Sequence, residues 1–473
     1  MRVRTTALAA LLAAGLTPLT LSAPAAAAPS GLPGDFNGDG YRDLAVSAGL
    51  ATIGSAEYTG AVVITYGSAT GPKAADSKVI SQSSSGVPGT SETGDGFGSA
   101  TATGDFNSDG YADLAVGTPN EGTSAGLLSG SVTVLWGSKS GLSGGTVLAA
   151  PTADKPKYFG EHLAAGDFDG DGRDDLAVGS GNYNGISIYR GGTGKGSTLS
   201  GRTGFASGGL VPFAGILTLA AGDINGDGTD DLVLGGSGVN SAPDNRQMVY
   251  LSPGGSAKKY IGDAAPGYAT AVGDIDGDGY DDIVSGNYSR GAVGGSVTVT
   301  YGSATGPSTS RAAVTISQDT AGVPGTGEEG DWFGWSVALG DINGDGRADL
   351  AVGARHETIG SVEYAGSVTI IPAGTKGLSP GTSYSYQQDS AGVPGASETF
   401  DQFGTAVQLA DTNRDGKADL SVGAPGENAR DGAVWFLKGT STRLTTKGVV
   451  SFGAGTVGLG AHPQPELGTP ITG

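Results

Sequence analysis

The sequence predicts an all-β chain: a seven-bladed β-propeller of four-stranded antiparallel blades, closed by a C-terminal strand that completes blade 1. Three observations carry this. An acidic motif, D-x-[DN]-x-D-G-x-x-D, recurs seven times. Each copy runs straight into a short apolar strand, and an alternating strand follows it. The 473 residues also include 89 glycines without the triplet period of collagen, a composition suited to tight turns between short strands. Four-stranded units repeated along a chain are the signature of radial β architectures, in which each sheet buries its faces against the next.

The motifs begin at Asp35, Asp105, Asp167, Asp223, Asp274, Asp341 and Asp411, at spacings of 70, 62, 56, 51, 67 and 70 residues. The apolar run after each reads LAVG, LVLG, IVSG or a close variant. A second, alternating strand is expected at Val62–Tyr66, Val132–Trp136, Ile186–Tyr189, Met248–Leu251, Val297–Tyr301, Val368–Ile371 and Ala433–Leu437. A weaker outer strand follows, for example Ala313–Ser317. A further strand opens on Phe-Gly, at Phe97-Gly98, Phe159-Gly160, Phe333-Gly334 and Phe403-Gly404, eight residues ahead of its Asp. No helical periodicity competes. Blade 1 has no such strand of its own, because Pro29–Gly34 is too short and too rich in Gly and Pro. The segment Phe452–Leu459, opening on Phe452-Gly453, is expected to supply it and so to leave no free sheet edge.

Residues 1–28 read as a secretory signal peptide: Arg2 and Arg4 precede an apolar run from Ala7 to Leu21, and the Ala25–Ala28 run suits cleavage. That run is too short to span a membrane, which takes about 20 residues. The chain from residue 29 to 473 is therefore expected to be one propeller, secreted to the extracellular space as a monomer with no membrane span. Absence of cysteine excludes disulfide scaffolds, thiolate metal sites and thiol nucleophiles. A formal charge of -21 argues against nucleic acid as the partner.

The acidic motif sets oxygen donors at its first, third, fifth and ninth positions and a backbone carbonyl at its seventh. The candidate ligands are Asp35, Asn37, Asp39, Tyr41 and Asp43; Asp105, Asn107, Asp109, Tyr111 and Asp113; Asp167, Asp169, Asp171, Arg173 and Asp175; and Asp223, Asn225, Asp227, Thr229 and Asp231. The last three sets are Asp274, Asp276, Asp278, Tyr280 and Asp282; Asp341, Asn343, Asp345, Arg347 and Asp349; and Asp411, Asn413, Asp415, Lys417 and Asp419. Hard oxygen donors without His or Cys select Ca²⁺. A bare hairpin turn is the plainer reading, but two carboxylates about 4 Å apart repel by roughly 4 kcal/mol at an effective dielectric of 20. Three such pairs in one loop rival the net stability of a domain, about 5–15 kcal/mol. Up to seven Ca²⁺ are expected, which would cancel two-thirds of the net charge. An EF-hand loop shares the opening but needs a bidentate acid at position 12. Here Val46, Val116, Val178, Leu234, Ser285, Val352 and Val422 stand there.

Phe-Gly, the acidic motif, and then LAVGTP (Leu114–Pro119), LAVGAR (Leu350–Arg355) or LSVGAP (Leu420–Pro425) resemble the FG-GAP repeats of the integrin alpha-subunit propeller and its bacterial relatives. The resemblance spans essentially the whole chain after residue 28. It implies seven blades with a calcium loop between the first and second strands. Blade 4, with Phe213 two residues early, and blade 5, with Pro266-Gly267 in place of Phe-Gly, depart from the pattern and are expected to pack less regularly.

Two G-x-S-x-G matches, around Ser143 and Ser379, fall in recurring turns where a nucleophile elbow would need a strand and then a helix. His162, His356 and His462 read as structural or solvated, with His162 placed to line an axial channel. Trp335 and Tyr268 hold equivalent positions on neighbouring blades, suited to inter-blade packing or to an aromatic platform. The loops opposite the acidic motifs are elaborated in one sector. G-V-P-G segments lie at 86–90, 322–326 and 392–396, and T-I-G-S-x-E-Y segments at 52–58 and 358–364. Such loops on a rigid scaffold commonly bind. The function expected is a binding or scaffold module for an extracellular protein or glycan; a secreted hydrolase of esterase or phospholipase type, or a purely structural surface protein, is the alternative.

Overall fold

The computed structural model describes residues 30–473 apart from 152–155, 182, 193–198, 207–215, 238–244, 252–258, 290 and 461–463. Seven four-stranded antiparallel sheets form a seven-bladed propeller. The innermost strands are Ile471–Thr472 in blade 1, Ala100–Gly104, Phe159–Gly166, Ile216–Gly222, Ala269–Gly273, Phe333–Gly340 and Ala406–Ala410. Each contacts its two neighbours around the ring, and the ring closes between Ala406–Ala410 and Ile471–Thr472. The four-residue turn Glu427–Arg430 is the one α-helical element among the described residues. The signal-peptide segment, Phe213 and His462 lie outside the described residues.

The core is not one mass but seven clusters, each between two consecutive blades. Alternation explains this: strands such as Leu44–Ala48 and Asp113–Thr118 are buried on both faces, so each sheet presents one apolar face forward and one back. The Phe-Gly phenylalanines Phe97, Phe159, Phe333 and Phe403 are wedges at these junctions, all 0–1% exposed.

Glycine is required at the junctions because backbone meets backbone there. A Cβ on Gly117 would stand 1.9 Å from the Gly160 carbonyl oxygen, one on Gly353 2.0 Å from that of Gly404, and one on Gly286 2.2 Å from that of Gly334. Thus in blades 2, 5 and 6 the Gly that ends the apolar run receives the Phe-Gly backbone of the next blade, whereas a Cβ on Gly179 of blade 3 would meet the Ile216 and Leu219 side chains at 3.3 Å. In blade 1 the corresponding residue is Ser47, which donates its hydroxyl to the Gly98 carbonyl at 2.6 Å.

The closing strand differs from the expected one. Phe452 lies in Thr445–Gly453, the outermost strand of blade 7, stacked on Phe436 at 5.5 Å and buried at the blade 7–blade 1 junction. The role falls instead to Leu467-Gly468 and Ile471–Thr472, which pairs with Leu44–Ala48. Three contacts identify Leu467-Gly468 as the Phe-Gly equivalent. Gly432 bridges Leu467 as Gly130 bridges Phe159 and Gly295 bridges Phe333. A Cβ on Gly423 would meet the Gly468 oxygen at 2.0 Å. Glu466 is left-handed (φ 51°), like Tyr158, Trp332 and Gln402 before the other pairs. Leucine fills the phenylalanine site, so the sequence pattern pointed to the wrong copy.

Within blades 2 and 7 the Phe-Gly glycine donates its N–H to the carbonyl of the glycine that ends the apolar run, Gly98 to Gly117 and Gly404 to Gly423. In blade 5, where Pro266-Gly267 stands, this bond slips by one residue and Tyr268 N–H donates to the Gly286 carbonyl at 2.7 Å.

Gly423→Ala is expected to destabilise the chain by at least about 3 kcal/mol, since both partners are backbone and cannot yield. Gly381→Ala, with open space around it, should change stability by less than about 0.5 kcal/mol. Urea unfolding of the two variants checks the pair.

Candidate functional site

The seven acidic loops share one hydrogen-bond scheme. In every loop the first Asp accepts the N–H of position 5 on one oxygen and the N–H of the glycine at position 6 on the other, as in Asp35 with Asp39 at 3.2 Å and Gly40 at 2.8 Å. The N–H of position 7 donates to the carboxylate of position 5 in all seven loops, from Tyr41 to Lys417. The loop is thus drawn into a tight coil with its carboxylates on the inside.

Two anchors fix the coil to the blade. The residue after the first Asp, namely Phe36, Phe106, Phe168, Ile224, Ile275, Ile342 or Thr412, plunges into the core at 0–1% exposure. The ninth-position Asp is buried in every loop, and in blades 1 to 3 and 5 to 7 it accepts an N–H from the turn after the third strand, as Asp113 does from Gly137 at 2.8 Å and Asp419 from Gly439 at 3.0 Å. Loops also lock to the next blade: Asp105, Asp167 and Asp223 donate their N–H groups to Asp174, Asp230 and Asp281 at 2.7–2.9 Å.

Burial pushes the carboxyl groups of Asp43, Asp113 and Asp231 up to about 8, those of Asp175 and Asp282 to about 7, and those of Asp349 and Asp419 to about 6. Neighbouring loop carboxylates add to the rise, and the donating N–H groups oppose it. Several oxygens are buried without a partner: Asp113 Oδ2, Asp169 Oδ1, Asp175 Oδ2, Asp231 Oδ1 and Asp276 Oδ1. An orphaned buried acceptor is costly, and at Asp169, Asp175 and Asp276, which belong to carboxylate clusters, a hard cation with oxygen ligands would answer that cost. The carboxylate oxygens of Asp167, Asp169 and Asp175 lie within 4.8 Å of one another, as do those of Asp274, Asp276 and Asp282, so these two clusters could hold a metal ion. In loops with Asn at the third position, the amide turns its donor to a carboxylate, as Asn225 does to Asp227 at 2.9 Å and Asn413 to Asp419 at 3.0 Å.

The opposite face carries the elaborated loops. At three junctions a buried Gln reaches a Glu of the next blade: Gln82 to Glu121, Gln318 to Glu357 and Gln388 to Glu427, at 2.5–2.6 Å. These ties hold the G-V-P-G segments against the neighbouring blade. Across blades 5 to 7 runs a continuous series of rings. Tyr288 lies 4.7 Å from both Tyr268 and Trp335, Trp332 stacks on Trp335 at 5.0 Å and on His356 at 3.8 Å, and Tyr364 stacks on Phe400 at 4.9 Å. Arg355 lies over the Trp335 ring at 4.3 Å. Burial lowers the Arg355 guanidinium to about 10 and, with Arg355 beside it, lowers His356 to about 4, so that imidazole is neutral. Beside Phe400 opens a cavity of about 570 Å³ lined by Arg355, Glu398, Asp401, Gln402, Arg430 and Glu466.

Trp335 and Tyr268 are therefore joined through Tyr288, which sequence reasoning missed together with Trp332, Phe400 and Arg355. The signal was the G-D-W-F-G and F-D-Q-F-G variants of the segment that reads G-D-G-F-G in blade 2. His162 lines the axial channel, and burial lowers it to about 4. Ser143 opens a strand, and Ser379 precedes the 3₁₀ turn Pro380–Thr382, so neither sits on a strand-to-helix elbow.

Among the described residues no helix is long and apolar enough to cross a membrane. The FG-GAP repeat model matches residues 27–64, 97–135, 266–300, 333–371 and 403–437, and an FG-GAP-like repeat model matches 167–234, together more than half of the chain. The chain is 37% identical over 147 residues to phosphatidylinositol-glycan-specific phospholipase D of Rattus norvegicus, a match covering 31% of this chain and 17% of that protein. It is 32% identical over 212 residues to integrin alpha-8 of Gallus gallus, covering 42% and 18%, and 35% identical over 164 residues to integrin alpha-PS5 of Drosophila melanogaster, covering 33% and 15%. The matched segments span less than a fifth of each relative's length.

The raised carboxyl groups set the pH behaviour. Their folded values lie above the ordinary 3.8, so without metal the unfolded chain binds fewer protons between about pH 4 and 8 and stability falls as pH rises through that window. Melting in chelator is expected to drop from pH 5 to pH 8, whereas a divalent cation should flatten or reverse the trend. A chelated chain that is more stable at pH 8 would contradict this.

Proposed function

We propose that this chain, which belongs to the FG-GAP repeat family, is a secreted, calcium-braced propeller that serves as a binding or scaffold module for an extracellular protein or glycan. Its acidic loops brace one face, and its ligand face is the aromatic rim on the other. Calcium is the ion the donor set selects: every side-chain candidate is an oxygen donor, and no cysteine competes.

The observation that carries the binding reading is Phe400. It is 54% exposed and holds a left-handed backbone, φ 71°, where the matching residues of blades 2 and 6 are Gly94 and Gly330. A bulky residue there is strained by about 1–3 kcal/mol, and strain of this kind clusters at ligand sites. Nothing in core packing calls for an exposed ring at that place. It extends the series from Tyr268 to Tyr364 to the mouth of the 570 Å³ cavity, within the 300–1,000 Å³ range of small-ligand sites. A glycan fits this surface best: ring faces stack on sugar C–H faces, while Glu398, Asp401, Gln402 and the two arginines offer planar polar groups to hydroxyls.

Phe400→Gly tests this, because it removes the ring and the strain together. Loss of stacking, about 0.5–1.5 kcal/mol, is offset by strain relief, so melting should stay equal to or above that of the parent. Glycan-array signals seen in calcium should vanish in the variant. A stable variant with undiminished array binding, or a parent chain that binds no glycan, would sink the glycan reading of the rim.

A further inference from the structure

The third motif position divides the loops into two kinds. It is Asn in blades 1, 2, 4, 6 and 7 and Asp in blades 3 and 5. An Asn brings its own donor, as the Asn225 and Asn413 amides show. An Asp brings a fourth carboxylate and no donor. In both Asp-bearing loops an arginine from the outer part of the same blade sets a positive charge beside that carboxylate. Arg190, the last residue of the strand Tyr183–Arg190, places Nε 3.1 Å from Asp169 Oδ2. Arg311, from the turn after Ser296–Thr300, donates to Asp276 Oδ2. Its guanidinium also lies 3.1 Å over the Tyr301 ring and donates to the Lys376 carbonyl at 3.0 Å.

The two aspartate side chains are 8% and 7% exposed, whereas those of the arginines are 43% and 34% exposed. Each Asp sets Oδ2 against its arginine, Asp169 in an ion pair and Asp276 in a charge-assisted hydrogen bond, and keeps Oδ1 buried without a partner within its carboxylate cluster. The other charges nearby do not perform this task. Arg173 pairs with Asp171, and Arg347 pairs with Asp345 at 3.5 Å and meets Asp276 at its backbone carbonyl, at 3.4 Å. Counted over motif positions 1, 3, 5 and 9 with the arginine added, an Asp-bearing loop carries the same net three negative charges as an Asn-bearing one.

We propose that Arg190 and Arg311 are built-in counter-ions that hold loops 3 and 5 in shape without metal, and that they weaken calcium binding at these two sites by standing as a like charge beside the ion. The inference rests on the calcium reading of the loops. It makes blades 3 and 5 the last to loosen when calcium is withdrawn and the first to give up the ion.

The test is calcium calorimetry and thermal melting, in saturating calcium and in chelator, of the full chain, Arg190→Gln, Arg311→Gln, and Asp169→Asn/Arg190→Gln. Each single variant should melt lower in chelator and unchanged in calcium, and one site should bind calcium about tenfold more tightly. The double variant recreates the Asn pattern and should recover the parent's chelator melting temperature. Equal melting losses in both conditions would show an arginine that merely packs. Weaker calcium binding in the single variants, no change in chelator, or a double variant no better than the single one would each overturn the proposal. A parent chain that takes up no calcium would overturn the loop reading itself, an outcome separate from these.

Discussion

The ring depends on one contact, repeated at four of its seven junctions: the backbone of a Phe-Gly pair, or of Leu467-Gly468, lying against a glycine of the preceding blade. Carbonyl oxygens there stand 1.9–2.2 Å from where a Cβ would be at Gly117, Gly286, Gly353 and Gly423, so only glycine admits the neighbour. That closeness sets the angle between blades, which sets how many blades complete the circle. At those junctions it also positions the wedge residue, Phe159, Phe333, Phe403 or Leu467, in the core between the two blades. Gly423 against Gly468 is the same contact used for closure, between the last blade and a C-terminal strand that belongs to the first.

Once the junctions fix the blades, the two faces diverge in chemistry. On one face each coil gathers carboxylates around its own backbone N–H groups, and burial drives the ninth-position aspartates to about 6–8. These groups are costly as bare anions. On the other face Gln–Glu ties steady longer loops, and rings accumulate across blades 5 to 7. A rigid base with strained, partly exposed aromatic residues above it is the division of labour expected when a scaffold carries a binding surface.

Much of this was legible in the sequence because the repeat is dictated by backbone chemistry. The D-x-[DN]-x-D-G-x-x-D coil needs those side chains at those spacings, so the motif located the loops, and alternation located the strands, with Ala433–Leu437 expected and Ala433–Lys438 found. The closing strand was not legible, because its wedge is Leu467 rather than phenylalanine and a Phe-Gly pair at Phe452 happens to end the outermost strand of blade 7. The rim was half legible. Trp335 and Tyr268 follow from blade equivalence, but their bridging by Tyr288 depends on a loop's path. The Arg190–Asp169 and Arg311–Asp276 pairs span 21 and 35 residues with no local pattern to announce them.

The most direct test of a metal-braced ring is to count ions by native mass spectrometry on the calcium-saturated chain and to follow its melting as calcium is chelated. Several bound calcium ions, up to seven, and a fall of about 10 °C on chelation are expected, since each site at tenfold excess over its dissociation constant adds about 1.4 kcal/mol. A chain that carries no calcium and melts at the same temperature in chelator would contradict the account, leaving the seven acidic coils as turns that bear their own repulsion.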